Sequence, residues 1–207
     1  MQSKQFQAQL FERASQVLEL EGADVEYIPD FIAAAPAWKI FETLLTETSW
    51  RQERIRIFDK THDVPRLSCW MGDAGLNYGY SNMTMRPTQW SAVMQKLRCQ
   101  IQKRAEHQFN CVLLNYYRDG QDSVGWHSDD EVELGRSPVI ASLSFGAARD
   151  FHLRHKTNRA ARHTLKLEHG SLLLMKAATQ HNWQHQVPKR VQAEARINVT
   201  FRTIRPC

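Results

Sequence analysis

His127 and Asp129 stand two residues apart in "VGWHSDDEVEL" (residues 124–134), an imidazole and a carboxylate of the kind that a divalent metal takes as ligands. Along a strand, residues i and i+2 point to the same side, so the two could serve one ion. An H-x-D triplet is a weak motif by itself. A second histidine would complete a 2-His-1-carboxylate facial triad, which leaves positions on Fe(II) open for a cosubstrate and O2. "ATQHNWQHQVPKR" supplies His181 and His185. On a helix that i, i+4 pair could bind zinc, but Gly170 and Pro188 bracket a strand-and-loop region and argue against it.

The strand "RINVTFR" (residues 196–202) sets Ile197, Val199 and Phe201 on one face and Arg196, Asn198, Thr200 and Arg202 on the other. Two arginines on a face turned into a sheet sandwich would call for an anion there. Six residues of strand span about 20 Å, so two arginines leaning inward could clasp a short dicarboxylate from its two ends. The other reading of the same pattern is a solvent-facing strand with ordinary surface arginines.

These residues need elements to carry them. The 207-residue chain has 42% hydrophobic residues and a net charge of +5, enough for one sizeable core. Residues 4–20 have helical spacing (Phe6, Leu10, Phe11, Ala14, Val17, Leu18), as do Pro36–Thr48 and a third stretch from about Pro87 through Ile101. After Asn110 come short β-like runs, "CVLLNYY", "VIASLSF", "DFHLRH", "TLKLE", "SLLLMK" and "INVTFRT". Helices followed by antiparallel strands predict an α+β, mainly β fold: a double-stranded β-helix (jelly roll) with N-terminal helices packed on one sheet. The expected division is an N-terminal helical extension over 1–24 and a single domain over 25–207. No apolar run is long enough to cross a bilayer and no signal-peptide pattern opens the chain, so a cytoplasmic (or nuclear) monomer without membrane contact is expected. Cys69, Cys99, Cys111 and Cys207 show no C-x-x-C pairing and read as reduced, mostly buried thiols. Residues 149–166 hold six Arg or Lys against one Asp, the whole +5 excess, which fits a phosphate-binding patch or a solvated basic loop.

His127-x-Asp129, His185 and Arg196 in that order, with the blocks "FNCVLLNYYRDGQDSVGWHSDDE", "SPVIASLSFGAARDFHLRHK", "HGSLLLM", "RINVTFR", "VPR" and "YGYS", resemble the AlkB-type dioxygenases over about residues 25–204. The resemblance is nearest to the branch that repairs alkylated bases in duplex DNA. It implies Fe(II) held by His127, Asp129 and His185, and 2-oxoglutarate held by Asn115, Tyr117, Arg196, Asn198 and Arg202. His181 falls outside the pattern. The implied reaction is O2-dependent oxidative demethylation of 1-methyladenine and 3-methylcytosine in DNA, duplex as well as single-stranded. Alternatives are the same chemistry on RNA and a non-catalytic nucleic-acid-binding relative.

For the substrate, the resemblance implies that Phe58 fills the gap left by a flipped base, and that Tyr78 and Tyr80 line the base pocket with Ser81 and Arg66 nearby. A hairpin phenylalanine packed on the core is the other reading of Phe58. Of the acids after the metal ligand, Asp130 is favoured over Glu131 as the group facing a cationic base. Arg149 matches an arginine at the active-site mouth, and Arg154, Lys156, Arg159 and Arg162 a DNA-gripping hairpin. Two positions depart from the pattern: Trp126, where an acid is more usual and which is expected only to pack, and Asn82, in place of a glycine.

Overall fold

A computed structural model describes residues 13–57, 59–76, 78–80, 83–85 and 87–205, without the side chains of 57, 78–80 and 83–85. In chain order the elements are β1 (Gln16–Leu18), β2 (Asp24–Ile28), α1 (Ala34–Glu47), β3 (Arg51–Ile57), β4 (Lys60–Gly72), β5 (Tyr78–Tyr80), β6 (Met83–Met85), α2 (Ala92–Ala105), β7 (Cys111–Tyr117) and β8 (Val124–His127). A 3-10 turn (Val132–Leu134), β9 (Ile140–Gly146), β10 (Arg149–His155), β11 (Arg162–Leu167), β12 (Leu172–Lys176), α3 (Thr179–Asn182), β13 (Trp183–Val187) and β14 (Arg196–Arg202) complete it.

Eight strands form one sheet in the order β1-β2-β12-β9-β14-β7-β4-β3, and four form a second in the order β11-β10-β13-β8. Pairing within both is antiparallel, and β5 and β6 form a separate hairpin. This is the expected double-sheet jelly roll with helices on one sheet.

Strand alternation divides the apolar residues into two cores. Phe41 and Leu44 of α1 and Met94, Leu97 and Ile101 of α2 cover the outer face of the large sheet, where they meet Leu114, Leu143, Ile197, Val199 and Phe201. Between the sheets lies a second core with Trp70, Phe151, Leu153, Leu165, Met175 and Trp183. A fully buried Leu or Phe contributes about 1.5–3 kcal/mol, so α1 and α2 are held by their packed faces. The odd-numbered face of β14 therefore meets the helices and its even-numbered face meets the inter-sheet space. Among the described residues no helix is long and apolar enough to cross a membrane.

Two helix expectations need correction. Of the stretch predicted helical over 4–20, the described part (13–20) is extended: Gln16–Leu18 pair with Val25–Tyr27. Three ladder partners on an open sheet edge outweigh a helical spacing that local pattern alone supports. The helix expected from Pro87 starts at Ala92, after Ser91, whose Oγ accepts from the Met94 N–H at 3.3 Å. Thr88 cannot be helical because its N–H donates to Trp70 O and its carbonyl accepts from the Gly72 N–H. Of the cysteines, Cys69 and Cys111 are buried thiols, Cys99 is exposed, and Cys207 lies outside the described residues.

Candidate active site

The large sheet supplies one wall. Arg196 lies opposite Tyr117 on β7 and Gly146 on β9, Asn198 opposite Asn115 and Ser144, and Arg202 opposite Cys111. Register thus places Asn115, Tyr117, Arg196, Asn198, Thr200 and Arg202 on one surface, and all six line a cavity of about 350 Å³. Arg196 is 1% exposed, so the solvent-facing reading of this strand does not hold. Its Nη2 donates to Ser144 Oγ at 3.0 Å and its guanidinium lies 5.1 Å from the Tyr117 ring centroid, while Nε and Nη1 are buried with no protein partner. Burial pushes the Arg196 pKa down, although it stays a cation at any physiological pH. A buried cation with two unused donors fits a carboxylate guest.

The small sheet supplies the opposite wall. His127 on β8 is in register with His185 on β13, and their rings lie 4.2 Å apart. Asp129 follows β8, its N–H held by Gln180 Oε1 at 3.0 Å, while Ser128 Oγ donates to Trp183 O. One donor atom from each of His127, Asp129 and His185 lies within 4.8 Å of the others.

The protonation states suit a metal. Burial, then the neighbouring His127, pushes the His185 pKa down to about 3, so this imidazole is neutral with a lone pair to give. Burial opposes ionisation of Asp129, but Arg202 and both histidines more than offset it, and the pKa lies below the usual carboxylate range. His127 Nδ1 lies 2.8 Å from Gly125 O; a carbonyl only accepts, so Nδ1 is the donor and Nε2 is the nitrogen left to face a metal. Two imidazoles and one carboxylate on one side of a cavity fit Fe(II).

Arg202 lines the same cavity as Arg196. Its Nη2 donates to Asp129 Oδ1 at 2.6 Å, so it belongs to the metal end, and Arg196 marks the far end. Asn198 is held in place by bonds to Ser142 Oγ, Leu143 O and Thr200 Oγ1. Arg66 lines the cavity and donates from Nε to Asn115 Oδ1 at 2.7 Å.

The two acids exchange places. Glu131 lines the cavity with a buried Oε2 that has no protein partner, whereas Asp130 is exposed and paired with Lys156 Nζ at 2.8 Å. The 3-10 turn that starts at Val132 turns Glu131 inward, a local bend that no periodicity announces. Arg149 is also corrected. It is 2% exposed, away from the mouth, and its guanidinium donates to the carbonyls of Asp119, Asp122 and Pro188. It pins the loops that lead into β8 and β14. Because each stranded buried acceptor costs about 1–3 kcal/mol, Arg149→Met should lower stability by about 3 kcal/mol or more, and Arg149→Lys by less. Urea unfolding measures this, and an unchanged midpoint in Arg149→Met would contradict the clamp.

On the basic hairpin, Arg154 is bonded to Gln184 Oε1 and Lys156 to Asp130 and Gln180 O, while Arg159 and Arg162 are exposed. His181 is exposed on α3 and apart from the metal group. Trp126 does not join either core as expected; Arg154 lies 4.2 Å over its ring. Phe58, Ser81 and Asn82 lie outside the described residues, as do the side chains of Tyr78 and Tyr80. Gln180, which fixes the Asp129 backbone, had no sequence signal, since its partner is 51 residues away.

Residues 24–202 match the family model of the 2OG-Fe(II) oxygenase superfamily. The chain is 45% identical over 188 residues to the bovine (Bos taurus) alpha-ketoglutarate-dependent dioxygenase alkB homolog 3, covering 86% of this chain and 65% of that protein, so it spans just under two thirds of that relative's length. It is 42% identical over 201 residues to the mouse (Mus musculus) DNA oxidative demethylase ALKBH2, covering 91% of this chain and 83% of that protein. The solved structure of OsALKBH1 shares the fold, with a TM-score of 0.67 at 16% identity over 92% of this chain and all of that one. With a metal triad at one end of the cavity, a buried arginine at the other and these matches along most of its length, the chain belongs to the 2OG-Fe(II) oxygenase superfamily, among its AlkB-type members.

Proposed function

We propose that the protein removes alkyl groups oxidatively from N-alkylated nucleic-acid bases, with 1-methyladenine and 3-methylcytosine in DNA as substrates. The observation that carries this reading is one cavity with His127, Asp129 and His185 at one end and the partnerless Nε and Nη1 of Arg196 at the other. When bound, Fe(II) and 2-oxoglutarate would supply an oxidant from O2 that hydroxylates the carbon attached to the base nitrogen, with succinate and CO2 as co-products. The hydroxymethyl base then breaks its C–N bond, releasing formaldehyde and the restored base.

The chain's own residues hold these partners in register. His127, Asp129 and His185 would ligate the metal, with Arg202 keeping the carboxylate ionised and aimed. Arg196, with Tyr117 and Asn115 beside it and Asn198 on the same wall, would take the distal carboxylate of 2-oxoglutarate. Glu131 would face the cationic base, where its buried Oε2 finds a positive partner. An alkylated base that pairs poorly costs less to flip, and so enters the cavity in preference to a normal one. Arg159 and Arg162, exposed on the β10–β11 hairpin, would meet phosphates. Phe58, Tyr78, Tyr80 and Ser81 complete the proposed base site by resemblance. The names of the two mammalian relatives, a DNA demethylase among them, support a nucleic-acid substrate.

Glu131→Gln should lose on the order of tenfold in kcat/KM on 3-methylcytosine, the size of one charge-assisted hydrogen bond of about 1.5–3 kcal/mol. Asp130→Asn should lose far less. Equal losses in steady-state assays would return the role to both acids. The function itself is tested by incubating the protein with Fe(II), 2-oxoglutarate and ascorbate on methylated single-stranded DNA, duplex DNA and RNA, and quantifying bases by mass spectrometry. Restored base on DNA is the expected result; none on any of the three would overturn the proposal.

A further inference from the structure

Trp126 stands on β8, the edge strand of the small sheet, one residue from His127. His127 faces the inter-sheet cavity, so strand alternation turns the Trp126 side chain to the sheet's outer surface. It is half-buried, borders the cavity mouth, and is covered on the sheet side by Arg154, whose guanidinium carbon lies 4.2 Å from the ring centroid. Arg154 does not wander there. Its Nε and Nη2 both donate to Gln184 Oε1, at 3.0 and 2.8 Å, and Gln184 is its register partner on β13. Gln186 and His152, the next pair along the same face, bond to each other at 3.2 Å. Beyond Arg154, the exposed Arg162 is its register partner on β11.

The outer face of the small sheet therefore carries a strip that runs from an indole beside the cavity, across a fixed guanidinium, to an exposed one, Arg162, whose Nε donates to the Arg159 carbonyl at 3.3 Å. A π surface and a cation at one step, then a second cation, match a nucleotide that offers a base face and then a phosphate. A duplex keeps its base faces stacked inside, so this strip suits an unpaired base.

We propose that Trp126 and Arg154 form a stacking subsite outside the metal cavity, which takes the unpaired base next to the lesion in a single strand, with Arg162 meeting the adjoining phosphate. This rests on the reading that the cavity receives a flipped alkylated base. The subsite would make the protein prefer single strands, and Trp126 would set that preference.

The test measures binding by fluorescence anisotropy with no metal or 2-oxoglutarate added, so that no turnover intervenes. The probes are labelled single-stranded pentanucleotides with a central 3-methylcytosine, with either neighbouring base present or replaced by an abasic site. Trp126→Ala should weaken binding of the intact pentanucleotide by about tenfold, the size expected of one base stacked on an aromatic ring, and Trp126→Phe by less. Removing the neighbouring base on one side should cost the wild-type protein a similar factor and cost Trp126→Ala nothing further. This cycle compares probes on one protein, so a folding defect cannot imitate it. Independent, multiplicative losses on both sides of the lesion, or full affinity in Trp126→Ala, would overturn the subsite. If the wild-type protein demethylates the pentanucleotide yet ignores the neighbouring base, the subsite fails and the demethylase reading stands. If it neither binds nor demethylates any probe, both fail.

Discussion

Asp129→Ala should abolish metal binding and cut turnover on the order of a thousandfold or more, because it removes the single anionic donor of the triad. Asp129 is 3% exposed, accepts a 2.6 Å bond from Arg202, and lies 4.0 Å from His185 Nε2. The carboxylate has two tasks in this geometry, ligation and compensation of Arg202. Removing one member of a buried pair costs about 3–5 kcal/mol; Arg202 keeps 16% of its side chain exposed, so about 2–3 kcal/mol is expected here. Asp129→Asn separates the tasks. It keeps the shape and an oxygen acceptor for Arg202, so it should retain more stability, but it lacks the charge that a divalent ion requires. Calorimetric titration with Mn(II), alongside urea unfolding, reads both. Metal affinity near the wild-type value in either variant would remove Asp129 from the metal site.

Arg196→Met should have opposite effects on cosubstrate binding and on the stability of the empty protein. Arg196 is a fully buried cation with two partnerless nitrogens, Nε and Nη1, each an expense of about 1–3 kcal/mol, plus desolvation of the charge itself. Its compensations are one bond to Ser144 Oγ and the face of Tyr117. A methionine fills nearly the same volume and leaves no donor stranded, so the empty fold should gain about 1–3 kcal/mol. Affinity for 2-oxoglutarate should fall at least about a hundredfold, the loss of a charge-assisted contact in a dry site. The check is the urea midpoint with Mn(II) present, with and without 2-oxoglutarate. Ligand raises the wild-type midpoint by mass action and should leave that of Arg196→Met in place. A variant that is less stable when empty, or that still responds to ligand, would show that Arg196 is held for structure instead.

Much of this site was legible from pattern. The alternation in "RINVTFR" separates the helix-facing residues from the cavity wall; its two arginines fitted either a bound anion or a solvent-facing strand, and the burial of Arg196 decides between them. His185 was separated from His181 only by the resemblance to AlkB-type enzymes; His181 lies on the short helix α3, while His185 is on β13 in register with His127. What pattern could not reach depended on partners far along the chain. Arg149 reads as one more basic residue until Asp119, Asp122 and Pro188 close around it. Asp130 and Glu131 are equivalent in sequence, and only the bend at Val132 and the salt bridge to Lys156 separate them. Gln16–Leu18 follow a helical spacing but answer to the open edge of β2. Strand parity turns Trp126 away from His127, as expected, but what it meets there is the Arg154 guanidinium and not a core, a partner 28 residues along the chain.

The most direct test of the account is the coupling between cosubstrate turnover and dealkylation. With Fe(II), O2 and 2-oxoglutarate, succinate and formaldehyde should be measured together on 3-methylcytosine DNA and on the same strand unmethylated. The account predicts one formaldehyde for each succinate on the methylated strand, little succinate on the unmethylated one, and neither product in Asp129→Ala. Succinate formed at the same rate on both strands, with no formaldehyde on either, would contradict it.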